Sequence, residues 1–162
     1  CEALVARVPR TRAGLRGCFQ ARECHVFDRH NPEGHSTTGY REWHRQPPDH
    51  MRRIACFRSN RYEPYFVVRK HAGLPLYDER FVGYGKNKIQ YVAHLRYMGW
   101  EFFVVPLSYI IHTPHPKSDS KKDWKRGDHR KQMDVLYRRF LKSIEPMSKT
   151  DMVTHKCSTS KK

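Results

Sequence analysis

The chain has 162 residues, the length of one domain, and its 32 Lys and Arg against 16 Asp and Glu leave a net charge of +16. Aromatic residues make up 12% of it, which excludes a disordered basic tail, and no run approaches the roughly eighteen apolar residues of a membrane-spanning helix. The opening CEALVARVPR has neither a starting Met nor a signal peptide's apolar core, and it reads as a piece of a longer chain.

Taken in chain order, ALVARV is a short apolar run closed by Pro9 and predicts a strand. From Thr11, the spacing of Leu15, Cys18 and Phe19 predicts a helix to about Glu23 with Thr11 as its cap. Residues 24–61 are irregular, with Pro32, Gly34, Pro47 and Pro48, and one brief helical candidate from Ser36 to about Arg45. Glu63 to Arg69, EPYFVVR, is β-branched and aromatic and predicts a strand. Glycines at 83 and 85 then demand a tight or open backbone, and a helix follows from about Lys86 to Met98, with Gly99 as terminator. EFFVVP and SYIIH predict two more strands. A lysine-rich loop leads to a last helix, about Asp128 to Ser143. Its stripe of Met133, Leu136, Tyr137, Phe140, Leu141 and Ile144 is expected to pack on a sheet until Pro146 ends it. Residues 147–162 are poor in aliphatics and are expected to be a disordered basic tail. Strands alternating with helices predict an α/β domain over 1–146, with too few strands for a complete doubly wound sheet.

Five cysteines, an odd number, do not make a disulfide scaffold. Cys18 and Cys24 could bridge across a turn or stand as two half-buried thiols, and the spacing leaves both open. With His25, His30 and His35 they could also ligate zinc, but the spacer between the cysteines fits poorly, so exposed loop histidines are the better account. The basic excess suggests a nucleic-acid-binding module. There Arg41, Arg45, Arg52, Arg53, Arg58 and Arg61 would neutralise phosphate while Tyr40, Trp43, Phe57 and Tyr62 stack bases. No RRM, KH or zinc-finger pattern accompanies it.

A third constellation has more parts. Asp78 and Glu79 precede Gly83, Tyr84, Gly85, Asn87 and Lys88, and a later strand ends in His112, followed by Thr113, Pro114 and His115. Two acids, a glycine elbow that lets a ligand approach the backbone, and a strand-end imidazole are what a metal-assisted transferase needs. The bland reading of each part is a solvated acid pair, a turn and a structural histidine.

The segments YEPYFVVRK (62–70), YDERFVGYGKNKIQYVAHL (77–95) and FFVVPLSYIIHTPHP (102–116) resemble the C-terminal half of glycosyltransferase family 49, especially its LARGE-type members. HSTTGYREW (35–43) is similar to that family's Pro-Thr-x-Tyr-x-x-Trp region. The resemblance implies the C-terminal portion of a GT-A, Rossmann-like fold, with a mixed sheet and flanking helices. It further implies a UDP-sugar donor, a divalent metal, usually manganese, and transfer of xylose or glucuronate to a glycan acceptor. By the same resemblance, His112 matches the C-terminal metal-binding histidine. Asp78 or Glu79 would be the catalytic base, and Gly83, Tyr84, Gly85, Asn87, Lys88 and His115 would face the substrates. None of the sixteen acids are two apart, so the family's Asp-x-Asp pair is absent here, and the chain by itself is expected to be inactive. In many inverting GT-A enzymes an acid follows the Gly-aromatic-Gly elbow, where this sequence has Asn87 and Lys88. The implied setting is the lumenal side of the Golgi membrane, with any anchor outside this chain and no nucleic acid expected as a partner.

Overall fold

A computed structural model describes residues 2–3, 8–116, 119, 124, 127–147 and 154–158. The first helix, α1 (Arg12–Gln20), begins where Thr11 is extended and its Oγ1 accepts the Gly14 N–H at 3.0 Å. Leu15 and Cys18 on its inner side are buried. Cys18 is bonded to Cys24, closing the turn through Arg22, whose φ is 61°. The disulfide thus answers the question that spacing left open, and it removes the two thiolates a zinc site would have used.

Strand β1 (Glu2–Ala3) pairs antiparallel with β2 (Cys24–His25), Ala3 facing Cys24. Residues 4–7 of the expected ALVARV strand lie outside the described residues, and Val8 is exposed and not in a strand. Two short helices follow, α2 (Pro32–His35) and α3 (Tyr40–Arg45), separated by a 3₁₀ turn at Ser36–Thr38. Gly39 breaks what the sequence suggests as one helix. Its φ is 65°, and a Cβ there would lie 2.8 Å from Glu42 Oε2. Strand β3 (Arg52–Arg53) pairs antiparallel with β4 (Phe103–Val104), and Ile54 N–H continues the contact to Phe102 O at 2.7 Å.

Two long helices complete the frame. Helix α4 (Asn87–Tyr97) buries Ile89, Gln90, Tyr91, Val92, Ala93 and Leu95, so nearly its whole circumference is covered. It ends at Gly99, φ 83°, where Gly99 N–H reaches Arg96 O and Trp100 N–H reaches Leu95 O, both at 3.1 Å. Helix α5 (His129–Ile144) buries Met133, Tyr137, Phe140 and Ile144. This stripe packs on Phe81, Ile89 and Ala93, so its partner is α4 and the turn before it, not a sheet.

Among the described residues the architecture is a mixed helix and strand fold with two small antiparallel ladders, smaller than the mixed sheet expected. EPYFVVR and SYIIH are not strands. A strand needs a ladder partner, and none of the described residues supplies one to 64–70. The pleat survives without the ladder: Tyr65, Val67 and Arg69 are exposed while Phe66 and Val68 are half-buried. Within 147–162, expected as a tail, residues 154–158 run beside Phe57. Cys157 is bonded to Cys56, Phe57 N–H donates to His155 O at 2.8 Å, and Cys157 N–H donates back to Phe57 O at 2.8 Å. Arg96 fixes the same segment through its hydrogen bond to the Thr154 carbonyl.

Candidate functional site

The residues singled out from sequence fall into two groups. The first surrounds His112. Its ring lies 5.1 Å from that of His115 and 5.1 Å from that of Phe27, edge to face with the latter. Phe27 meets His35 in the same manner at 5.0 Å. His35 is buried at the end of α2, and that burial holds its imidazole below the ordinary value, although Glu63 and Asp28 pull the other way. Glu63 reaches this place because its N–H bonds Gly34 O at 2.9 Å. A Cβ on Gly34 would come within 3.1 Å of Glu63 Oε1 and 2.8 Å of Asn31 Nδ2, so a larger residue would push these two side chains aside. Lys88, in the first turn of α4, sets its Nζ 3.6 Å from Glu63 Oε2 and 4.9 Å from the Tyr65 ring centre. His115 Nδ1 lies 2.8 Å from the Pro116 carbonyl oxygen. The structure thus joins Lys88, His112 and His115 with three residues the third constellation lacked, Phe27, His35 and Glu63. His35 and Glu63 sit at the edges of HSTTGYREW and EPYFVVR, which was a usable signal; Phe27 carried none.

The second group surrounds the glycine elbow. Gly83 and Gly85 have φ of 73° and 88°, as a tight backbone requires. The six-membered ring of Trp124 lies over Gly85, where a Cβ would lie 2.7 Å from Trp124 Cη2, so the open side expected for a ligand is occupied by an indole. Tyr84 meets the same ring at 6.0 Å, and His129 Nε2 lies 3.1 Å from Val82 O. Lys86 has φ 66° and pairs with Asp134 at 3.0 Å above the Tyr137 ring, which ties the elbow to α5. Asn87 caps locally, its Oδ1 accepting the Lys88 N–H at 2.8 Å.

Asp78 is held by Arg80. The guanidinium Nε and Nη2 donate to Oδ1 and Oδ2 at 2.9 and 2.5 Å, and Arg80 N–H donates to Oδ1 at 3.0 Å. These bonds keep the carboxyl below its ordinary value, so it is a weak proton acceptor and a strong structural partner. Glu79 beside it is exposed.

Two other readings lose their parts. Three of the four aromatics that were to stack bases are core residues: Trp43, Phe57 and Tyr62 are 6%, 2% and 3% exposed, while Tyr40 is half-buried. Several of the companion arginines are paired, Arg53 with Glu101, Arg58 with Glu42 and Arg61 with Glu33. Among the described residues no three His, Cys, Asp or Glu side chains gather around a common point. His112 and His115 by themselves therefore do not make a metal's ligand shell.

Two short ladders, a covered glycine elbow and a pair of adjacent imidazoles do not make a self-contained site, and comparison with known proteins says what the chain is similar to. Residues 2–148 match the family described as glycosyl-transferase for dystroglycan, and the chain belongs to that family. It is 38% identical over 112 residues to the glycosyltransferase-like protein LARGE of Caenorhabditis elegans, 68% of this chain and 17% of that protein. Against the xylosyl- and glucuronyltransferase LARGE2 of Homo sapiens it is 35% identical over 111 residues, 68% of this chain and 15% of that protein. Against LARGE2s of Gallus gallus it is 32% identical over 138 residues, 84% and 18%. The chain thus spans less than a fifth of the length of these relatives.

Proposed function

We propose that this chain is the C-terminal portion of a GT-A catalytic domain that transfers xylose or glucuronate from a UDP-sugar to a glycan acceptor. The observation that carries this reading is the placement of His112 beside His115, in the segment 102–116, within the residues the family match spans. His112 would be one nitrogen ligand of manganese, and the oxygen ligands would come from an acidic pair outside this chain. A divalent metal there supplies charge for the departing diphosphate.

What the chain's own residues do can be argued more closely. Phe27 and His115 both contact the His112 ring, which would limit its rotation. Lys88, already shared with Glu63, keeps a cationic head at the start of α4, where a diphosphate or a sugar carboxylate could displace the carboxylate. Of the two candidate bases, Glu79 is the better one, because Asp78 is committed to Arg80. Gly83, Tyr84 and Gly85 shape the turn that launches α4 and act on substrate only through it. The two disulfides support a setting outside the reducing cytosol, in keeping with the Golgi lumen.

The test is direct. Incubated with manganese, UDP-xylose or UDP-glucuronate and a glycan acceptor, the 162-residue chain is expected to show neither transfer nor tight UDP binding. A preparation spanning the length of its relatives is expected to show both. Robust transfer by the 162 residues alone would sink the fragment argument, and no transfer by the longer protein would sink the assignment.

A further inference from the structure

Helix α5 has a second face that is left exposed among the described residues. Its buried stripe of Met133, Tyr137, Phe140 and Ile144 lies on one side. At about 100° per residue the opposite side carries Lys131, Val135, Arg138, Arg139 and Lys142, all exposed. The four cations extend over about 16 Å of helix. Lys131 shares Asp128 at 3.0 Å, but no acid lies in ion-pair reach of Arg138, Arg139 or Lys142 among the described residues. This contrasts with Arg53, Arg58, Arg61 and Arg80, each already paired. Lys131, Gln132, Val135, Leu136 and Arg139 line a shallow, open depression on this surface, in which Val135 is exposed and Leu136 is partly buried against the inner cluster.

The chemistry of this face narrows its partner. Cations call for an anion, and arginines in particular take carboxylates two N–H groups at a time. Val135, aliphatic and exposed, suits the apolar side of a sugar ring. Single-stranded nucleic acid would need exposed rings for stacking, and the aromatics of α5, Tyr137 and Phe140, are buried. A bilayer would need an apolar face to insert, and that face is spent on α4.

We propose that the outward face of α5 docks a carboxylate-bearing glycan, with Arg138, Arg139 and Lys142 meeting uronate groups and Val135 the ring between them. The proposal rests on the reading of the chain as part of a sugar transferase, whose relatives are named for adding glucuronate, a sugar that carries such a carboxylate. The face lies apart from His112 and would hold the glycan strand, not the reacting sugar.

The test is binding of the 162-residue chain to hyaluronan, in which glucuronate is the only charged unit, with dextran, duplex DNA and phosphatidylserine vesicles alongside. Hyaluronan is expected to bind and dextran not to. The triple variant R138Q/R139Q/K142Q is expected to weaken hyaluronan binding roughly tenfold and to flatten its salt dependence, at an unchanged melting temperature. The triple variant R53Q/R58Q/R61Q, with the same loss of charge, is expected to stay within about twofold. Should the first triple fail to fold, Val135→Glu places a carboxylate in the depression and is expected to weaken binding on its own. Equal losses in the two triples would reduce the effect to net charge and overturn the proposal. So would absence of hyaluronan binding, an unaffected Val135→Glu, or tighter binding of DNA or vesicles through the same three cations. Because binding and not transfer is measured, these failures are distinct from failure of the transferase assignment, which shows in the UDP-sugar assay.

Discussion

Two hydrophobic clusters among the described residues are built by different means. One gathers Phe81, Ile89, Ala93, Met133, Tyr137, Phe140 and Ile144 from two regular helices and the turn before one of them. The other gathers Leu15, Cys18, Cys24, Trp43, Ile54, Phe57, Tyr62, Val92 and Val104 from short elements and loops far apart in sequence. The first is held by periodicity. The second is held by cross-links: two disulfides, Arg12 donating to the Trp43 and Gln46 carbonyls at 2.7 and 2.8 Å, and Trp43 Nε1 donating to Val105 O at 3.1 Å. The difference teaches that a region with little secondary structure can still fix side chains when disulfides and side-chain-to-backbone hydrogen bonds tie its distant segments together, even though Arg12 Nε and Gln46 Oε1 are buried there without a partner.

This contrast predicts where the fold breaks. The largest effect is expected from Cys56→Ser with Cys157→Ser, which opens a loop of 101 residues and is expected to cost about 4 kcal/mol in urea unfolding. An unchanged midpoint would mean that the irregular cluster does not need its staple. Next is Phe140→Ala, expected to cost about 3 kcal/mol, while Lys142→Ala on the outer face costs under about 0.5. Equal midpoints for these two would remove the packing of α5 on α4. Thr11→Ala, which strips one cap from α1, is expected to cost about 1 kcal/mol.

The same contrast governs what could be read in advance. The periodic half was legible: the stripe of α5 and the Gly99 stop were both written in residue spacing, and so was the Thr11 cap of α1. What was missed there is the partner, since an apolar stripe does not say whether a helix or a sheet will cover it. The irregular half was legible only as composition. Nothing local announces that Cys56 will find Cys157, or that Gly34 lets Glu63 stand close to His35, because both depend on segments distant in sequence. EPYFVVR shows the converse case, a strand pattern whose ladder partner is not among the described residues. At the candidate site, His112 and Lys88 could be named from spelling, whereas the Asp78 pairing with Arg80 and the Trp124 cover over Gly85 could not.

The smallest expected effect is on acidity. Burial keeps His35 neutral in the folded chain at a pH where the unfolded chain takes up a proton. Its contribution is therefore fully present above about pH 6.5 and is lost as pH falls below that value. His44 and His94, lowered by the same cause, act in the same direction. Melting temperatures are expected to drop between pH 7.5 and 5.5, and to drop less in His35→Gln. An identical slope in that variant would show that His35 does not take part.

The assignment itself stands or falls on His112. In a preparation spanning the length of its relatives, His112→Ala is compared with His115→Ala for the manganese concentration that gives half-maximal transfer, with melting temperature measured beside it. The account predicts a raised half-saturating manganese concentration and strongly depressed turnover for His112→Ala, a smaller change for His115→Ala, and unchanged melting for both. An unaltered manganese dependence in a folded His112→Ala protein would contradict it.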